Sequence, residues 1–155
     1  KMSDRISEHI SLNEGIKSHT ATRLNIDNVP RDLDLINMKT IAEKVFEPLR
    51  KFVGGPIAIN SFYRSPKLNS AIGGSTSSQH CIGCAIDIDD KYGYKTNEEM
   101  YHYIQENLDY DQMIWEFGDS NNPDWVHVSY ISEDANRRRC LRAYKKNNKT
   151  KYEII

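Results

Sequence analysis

The residues with the clearest chemical potential are a histidine and an aspartate seven positions apart. His80 ends a polar, serine-rich segment, and Asp87 lies within the apolar run of residues 85–88. Zinc in proteins commonly binds imidazole nitrogen and carboxylate oxygen, and a catalytic zinc keeps three protein ligands and one water. The spacing therefore predicts two ligands of a metal site, with a third ligand from a distant strand.

His127 is the candidate for the third ligand. It stands in the middle of the apolar segment 125–130, where an imidazole needs a partner for each ring nitrogen. A histidine in such a segment is also often a hydrogen-bonded core residue. The residues alone leave both interpretations open.

Three segments of the chain resemble a known family, in the expected order. Residues 78–87 match the pattern Ser-x-His-x-x-Gly-x-Ala-x-Asp, the signature of zinc D-alanyl-D-alanine carboxypeptidases and related phage endolysins. Residues 61–66 (Ser-Phe-Tyr-Arg-Ser-Pro) match an upstream element, and residues 125–129 (Trp-Val-His-Val-Ser) match a downstream one. From roughly residue 10 to residue 144, the chain is similar to the hedgehog/DD-peptidase superfamily.

The resemblance implies a role for each matched residue. The implied ligands of a single zinc ion are His80, Asp87 and His127. Arg64 would bind substrate and stabilise developing negative charge, as a fixed guanidinium beside a metal can. Ser78 and Gln79, on the loop before the first ligand, would contact the substrate.

Two acidic residues compete for the role of catalytic base. Many family members carry a glutamate three residues before the last zinc histidine, and that position is Asp124 here. The related hedgehog domains have an acidic pair before their final ligand, matched by Asp111 and Glu116. We favour Glu116, because its side chain could reach the attacking water from a neighbouring strand. Asp124 follows a proline in a turn and is kept as the alternative.

These roles predict a zinc-dependent metallopeptidase that hydrolyses bacterial peptidoglycan stem peptides. It would be either a D-Ala-D-Ala carboxypeptidase or a murein endopeptidase of the endolysin type. The second hypothesis is a non-catalytic, hedgehog-like zinc-binding module that recognises a partner. A missing base or arginine would favour that module, and both Glu116 and Arg64 are present.

The elements that must position these residues follow from hydrophobic spacing. Apolar residues at helical spacing predict a helix over 38–53, which Pro48 loosens or kinks and Gly54 ends. A second helix is predicted over 97–108 with Thr96 as its cap, and Ser11 begins a capping box.

Strands are predicted mainly in the second half of the chain. Their ranges are 56–61, 85–88, 112–116, 125–130 and a terminal hairpin of 140–144 with 152–155. Residues 63–80 are expected to form a long irregular loop. Helices first and strands later indicate an α+β fold. The resemblance implies a hedgehog/DD-peptidase-like version of it, with helices packed on a mainly antiparallel sheet.

Composition sets the broad class. The length of 155 residues predicts a single domain, and the resemblance implies that this domain, over 1–155, is a zinc peptidase catalytic domain. A net charge of −1 argues against nucleic acid as a partner. We expect the basic run 137–139 to be a solvated edge strand or tail. We expect no membrane span and no secretory signal, because no stretch approaches about 20 apolar residues and no charged start precedes an apolar core and a cleavage site.

We therefore expect a monomer without membrane or nucleic-acid partners. A cytoplasmic lysis enzyme of the phage type, acting on the wall after release, fits these features, as does a virion-associated one.

Three cysteines cannot all pair within one chain, which favours a reducing compartment. Cys81 and Cys84 form a Cys-x-x-Cys pair without a second knuckle. We interpret them as incidental thiols.

Overall fold

The computed structural model describes residues 5–155, so the first four residues of the predicted domain lie outside the described part. Its helices are α1 (Leu12–Ile16), α2 (His19–Leu24), α3 (Asp32–Ile41), α4 (Glu47–Val53), α5 (Pro66–Ala71) and α6 (Asn97–Asn107). A π-helical segment spans Ala42–Phe46, and a 3-10 turn spans Gln79–Ile82. The strands are β1 (Arg5–Ser7), β2 (Ile10–Ser11), β3 (Ala58–Ser61), β4 (Ala85–Asp89), β5 (Gln112–Glu116), β6 (Trp125–Ser129), β7 (Arg139–Lys146) and β8 (Lys149–Ile154).

Strands β3 to β8 form one six-stranded sheet in the order β3-β4-β6-β5-β7-β8. Neighbouring strands are antiparallel except for β5 and β7, which are parallel. The α+β class with a mainly antiparallel sheet is thus confirmed.

The two faces of this sheet have different surroundings, because side chains alternate along each strand. One face packs on the helices and contributes Ile86, Ile88, Met113, Trp115, Val126 and Val128 to the core. The helical side of the core supplies Met38, Ile41, Val45, Phe46, Leu49, Met100 and Ile104. The opposite face carries the predicted ligands Asp87 and His127.

The predicted 38–53 helix begins earlier, at Asp32, and continues to Val53. Pro48 lacks the N–H that would bond to the carbonyl of Lys44, and the π-helical segment ends two residues before it. Gly54 ends the segment with φ of 77°. The loosened turn and the terminating glycine are both confirmed.

The two predicted helix caps are confirmed. Ser11 and Thr96 both form capping boxes, with Glu14 and Glu99 respectively. Each strand prediction is matched within a few residues, including the terminal hairpin, which is longer than expected. Strands β1 and β2 and helix α2 have no counterpart among the predictions.

The prediction of an irregular loop over 63–80 is wrong. That range contains α5 and the beginning of the 3-10 turn. Ser65 caps α5 by accepting a hydrogen bond from the N–H of Leu68, Pro66 occupies the first turn, and the side chain of Leu68 is buried. One buried leucine beside a capping serine gives too little periodicity for a sequence-based prediction.

The expectation of a solvated edge strand or tail at 137–139 is correct for solvent exposure and wrong for the edge. All three arginines are exposed. Arg139 begins β7, however, and β7 lies between β5 and β8 and is therefore not an edge strand. Arg137 forms a bidentate pair with the buried Asp111: Nε of Arg137 lies 3.0 Å from Oδ1 and Nη2 lies 2.8 Å from Oδ2.

None of the helices between residues 5 and 155 combines the length and the hydrophobicity that a bilayer crossing requires.

Candidate metal centre

The register of the central strands brings two predicted ligands together. Asp87 on β4 lies directly opposite His127 on β6, so both side chains leave the same face of the sheet. Nδ1 of His127 lies 2.9 Å from Oδ1 of Asp87. A separation of 40 residues in sequence therefore becomes direct contact in the fold.

His80 reaches the same place from the 3-10 turn before β4. Ser78 begins this turn by accepting a hydrogen bond from the N–H of His80. Gly83 ends it with φ of 77°, and a Cβ at this position would collide with the carbonyl oxygen of Asp34 on α3. The signature glycine is thus required by both its backbone conformation and its close packing against α3.

Hydrogen bonding at His80 leaves one ring nitrogen for a metal. Nδ1 donates to the carbonyl oxygen of Phe62 at 2.7 Å, which leaves Nε2 with its lone pair. Nε2 is buried and has no hydrogen-bond partner within the described residues, although it lies 3.3 Å from Oδ1 of Asp87. A buried acceptor without a donor is unfavourable unless a cation occupies the space beside it.

The three side chains together meet the requirements of a zinc site. One ligand atom from each of His80, Asp87 and His127 lies within 4.8 Å of the other two. Two imidazoles and one carboxylate form a common catalytic zinc donor set, and the carbonyl of Phe62 orients the buried imidazole. The residues present therefore fit the metal that the sequence pattern predicted.

The protonation states of the candidate ligands favour metal binding. Burial lowers the pKa of His80, which keeps its imidazole neutral at pH 7. Burial alone would raise the pKa of Asp87, but the neighbouring imidazoles of His80 and His127 outweigh it and lower that pKa. The site thus presents a neutral imidazole and an ionised carboxylate, the forms in which these groups bind metals.

Glu116 lies on the same face of the sheet as the ligands. It is two residues from Ile114, which pairs with His127, and its side chain lines the same cavity as all three ligands. Glu116 is only 8% exposed, and this burial raises its pKa to about 7. A carboxyl with a pKa near neutrality can accept and release a proton under ordinary conditions.

Arg64 is placed beside His80 through the backbone. Its N–H donates to the carbonyl oxygen of His80 at 3.2 Å, and its side chain lines the cavity. The Nε of Arg64 is buried and unpartnered among the described residues. A guanidinium N–H in this state is available to a substrate oxygen.

Ser78 and Gln79 also line the cavity, but their polar groups are already partly used. Ser78 caps the turn, and the amide nitrogen of Gln79 donates to Asp111 at 2.9 Å. Asp111 also pairs with Arg137, and although burial opposes ionisation, these hydrogen bonds hold the pKa of Asp111 at about 2. Substrate contacts by Ser78 and Gln79 stay predictions.

Asp124 is not brought to this cavity. It is exposed and precedes β6, and its backbone N–H donates to the carbonyl oxygen of Glu116 at 2.8 Å. Alternation along the strand places Asp124 out of phase with His127, because three positions separate them. The geometry therefore brings Glu116, and not Asp124, to the candidate ligands.

Tyr152 is a cavity residue that sequence reasoning missed. It pairs with Ala143 on β7, which pairs with Glu116 on β5, so the three residues form one row across the sheet. Burial raises the pKa of Tyr152, and the charges of Glu116 and Asp87 raise it further. The small side chain of Ala143 leaves room between Tyr152 and Glu116, and no local sequence signal would have shown this placement.

The cysteines near the site are not activated. Cys81, Cys84 and Cys140 are all free. Burial raises the pKa of Cys84 to about 11, and burial also raises the pKa of Cys81. Neither thiol is a nucleophile at neutral pH, which agrees with their interpretation as incidental.

Comparison with known proteins adds one positive finding. The model of the family described as peptidase M15 matches residues 8–129 of the chain. This range contains His80, Asp87, His127, Arg64 and Glu116 but ends before the β7–β8 hairpin. No curated protein matches the chain.

Proposed function

The chain belongs to the peptidase M15 family of zinc peptidases, and we propose that it hydrolyses peptide bonds in the stem peptides of bacterial peptidoglycan. The observation that carries this proposal is the cluster of three ligand atoms within 4.8 Å, in a cavity also lined by Glu116 and Arg64. The alternatives within the proposal are carboxypeptidase and endopeptidase action.

Each chain residue has a task that its surroundings support. His80, Asp87 and His127 would hold the zinc ion, which would supply Lewis-acid chemistry for the scissile carbonyl and the attacking water. Glu116 accepts the proton of the attacking water and delivers it to the leaving nitrogen. Arg64 donates hydrogen bonds to the oxygen on which negative charge develops.

We also propose that one chain acts alone as a single domain, since every group in this scheme comes from one chain. Its place of action would be the cell wall, because the substrate is there. A phage-type enzyme released from the cytoplasm, or one carried by a virion, would reach that substrate.

Cleavage of purified peptidoglycan by the zinc-loaded protein tests the proposal. New amine termini should appear with the unmodified protein and should fall at least about a thousandfold in rate with Glu116→Gln, because removing a general base and its charge affects the chemical step directly. Zinc content of both proteins is measured in parallel and should be equal.

Glu43→Gln is the matched control, because Glu43 is exposed on the π-helical segment. It should cleave at the unmodified rate. If zinc binds stoichiometrically and no peptidoglycan type yields new amine termini, the peptidase proposal is wrong and the non-catalytic binding module is favoured.

A further inference from the structure

Charge is unevenly distributed along the chain. The 17 residues of segment 139–155, which forms the β7–β8 hairpin, include six lysines and arginines and one glutamate. The preceding 138 residues contain the other 15 cationic side chains and the other 21 acidic ones. The hairpin is therefore strongly basic, although the whole chain has a net charge of −1. It also lies outside the segment that the family model matches.

The register of the hairpin places most of this charge on one face of the sheet. Cys140 of β7 belongs to the core on the helical side, so alternate residues after it share that side. Residues directly opposite each other in an antiparallel pair also share a face. The face turned away from the candidate ligands therefore carries a group that we call the basic face: the cations Arg142, Lys146, Lys149 and Lys151, together with Tyr144 and Glu153.

The cations of the basic face have no acidic partner. None of the four forms an ion pair with a residue between 5 and 155. Lys146 lies directly opposite Lys149, and like charges in this position are destabilising. Every residue of β8 is exposed, so this repulsion is open to solvent. An anion bound over the two lysines would remove it.

Protection of a sheet edge does not account for these cations. Lysines on an edge strand often serve only to prevent pairing with another sheet. The other edge of the described sheet, β3, contains no lysine or arginine. Arg142 and Lys146 belong to β7, which is an interior strand. The concentration of charge on this hairpin therefore indicates a binding surface.

The arrangement of the cations suits an extended polyanion. Alternate residues of a strand lie about 6.8 Å apart, and neighbouring strands lie about 4.8 Å apart. The cations thus form two short rows on an open face, and none of them lines the cavity that contains the candidate ligands. Such rows match a polymer with regularly spaced charges better than a single small anion. Lysine ammonium groups are compact charges that commonly bind phosphate.

The rest of the molecule narrows the chemistry of the polymer. A nucleic-acid duplex is stiff over about 150 base pairs and would extend beyond the hairpin along the acidic remainder of the chain. Single-stranded nucleic acid is bound largely by stacking on aromatic side chains. Tyr144, which is half-buried, is the only aromatic residue of the basic face. A flexible polyol-phosphate chain requires cations alone.

We propose that the basic face binds an anionic polyol-phosphate polymer of the bacterial cell wall. The choice of a wall polymer rests on the proposed peptidase function. The candidate ligands and the basic face lie on opposite faces of the sheet. The protein should therefore bind the polymer and a peptide substrate at the same time, and the polymer should keep it on the wall between cleavage events.

Calorimetric titration of the zinc-loaded full chain with poly(glycerol phosphate) tests the binding surface. Binding should be measurable at 50 mM salt and weaker at 200 mM salt, because charge pairs at a surface are screened. The double variant Lys149→Ala, Lys151→Ala should bind about four- to twentyfold more weakly, as expected for the loss of two exposed charge pairs. Lys149→Arg, Lys151→Arg should bind like the unmodified protein.

A matched control separates the basic face from general charge. Lys39 and Lys44 are exposed on the helical side, and Lys39→Ala, Lys44→Ala should change the affinity by no more than about twofold. An equal loss in this control and in the β8 double variant would overturn the proposal. Tighter binding of single-stranded DNA than of poly(glycerol phosphate), at equal phosphate concentration, would also overturn it and identify nucleic acid as the partner.

Removal of the one acidic residue from the basic face should have the opposite effect. Glu153→Gln should bind poly(glycerol phosphate) about two- to fivefold more tightly, since one repulsive charge is lost. A purely structural role of the hairpin would not produce tighter binding. Unchanged or weaker binding would contradict the proposed surface.

Cleavage assays separate this inference from the proposed function. The double variant Lys149→Ala, Lys151→Ala should cleave polymer-free peptidoglycan at the unmodified rate and polymer-bearing walls more slowly. Equal rates on the polymer-bearing walls would show that the basic face does not keep the protein there. Absence of cleavage on every wall preparation, with polymer binding still dependent on the lysines, would overturn the peptidase function and leave the binding surface.

Discussion

The two faces of the six-stranded sheet are made by the same strands and have opposite character. The face toward the helices is apolar and includes Ile86, Ile88, Val126 and Val128. The other face carries Asp87, Glu116 and His127, which are also buried or nearly so. Burial on the first face stabilises the fold, while burial on the second perturbs pKa values and leaves donors and acceptors without partners.

This difference teaches how one strand can serve two purposes. Asp87 and Ile88 are neighbours in β4, yet they belong to opposite faces because the side-chain period of a strand is two. A substitution at one position should therefore affect metal binding, and a substitution at the other should affect folding.

The largest expected effect is on metal affinity. Asp87→Ala should weaken zinc binding at least about a thousandfold, because the roughly 10–16 kcal/mol typical of protein zinc sites is shared among few ligands. Unfolding of the metal-free protein should change by no more than about 1.5 kcal/mol, the scale of one hydrogen bond. Competition with a chelating dye and urea unfolding in EDTA measure the two quantities. A large loss of stability in the metal-free protein would contradict the view that Asp87 serves metal binding rather than folding.

A substitution at the neighbouring position, Ile88, should lower the free energy of unfolding and leave the zinc affinity almost unchanged. Ile88→Ala removes a side chain that is 1% exposed and should lower the free energy of unfolding by about 2–5 kcal/mol. Zinc affinity of the folded fraction should stay within about twofold of the unmodified value. Urea denaturation and the same dye competition test this, and a weakened metal site would mean that the faces are coupled.

A smaller effect on stability should depend on pH. The folded-state pKa of Glu116 is about 7, above its ordinary value of 4.5, so its burial destabilises the fold only as pH rises through this interval. Glu116→Gln should therefore stabilise the metal-free protein by on the order of 2–3 kcal/mol at pH 8 and hardly at all at pH 4. Urea unfolding in EDTA at both pH values measures this. Equal effects at the two pH values would rule out the buried carboxyl as their source.

The sequence predicted the core face better than the cleft face. Apolar residues predicted β4, β5 and β6, and the signature segment indicated His80 and Asp87 as ligands. The meeting of Asp87 with His127 depends on strand register, which a single sequence does not specify. The family resemblance supplied that pairing.

The features that the sequence did not reveal are contacts between residues far apart in the chain. The bidentate pair of Arg137 with Asp111 and the position of Tyr152 in a row with Glu116 both join segments far apart in the chain. Neither leaves a periodic signal, because each depends on one side chain meeting one distant partner. Short elements such as α5 were missed for a related reason, since six residues contain too few apolar positions to show a period.

The carboxylate of Asp111 joins two segments that are far apart in the sequence. It accepts hydrogen bonds from Gln79, at the start of the turn that carries His80, and from Arg137, which lies beyond the segment matched by the family. One buried side chain therefore connects the position of the first candidate ligand to the segment that leads into β7. Damage to either connection can reach the other only through this carboxylate's partners, so Asp111 acts as a mechanical joint between the two.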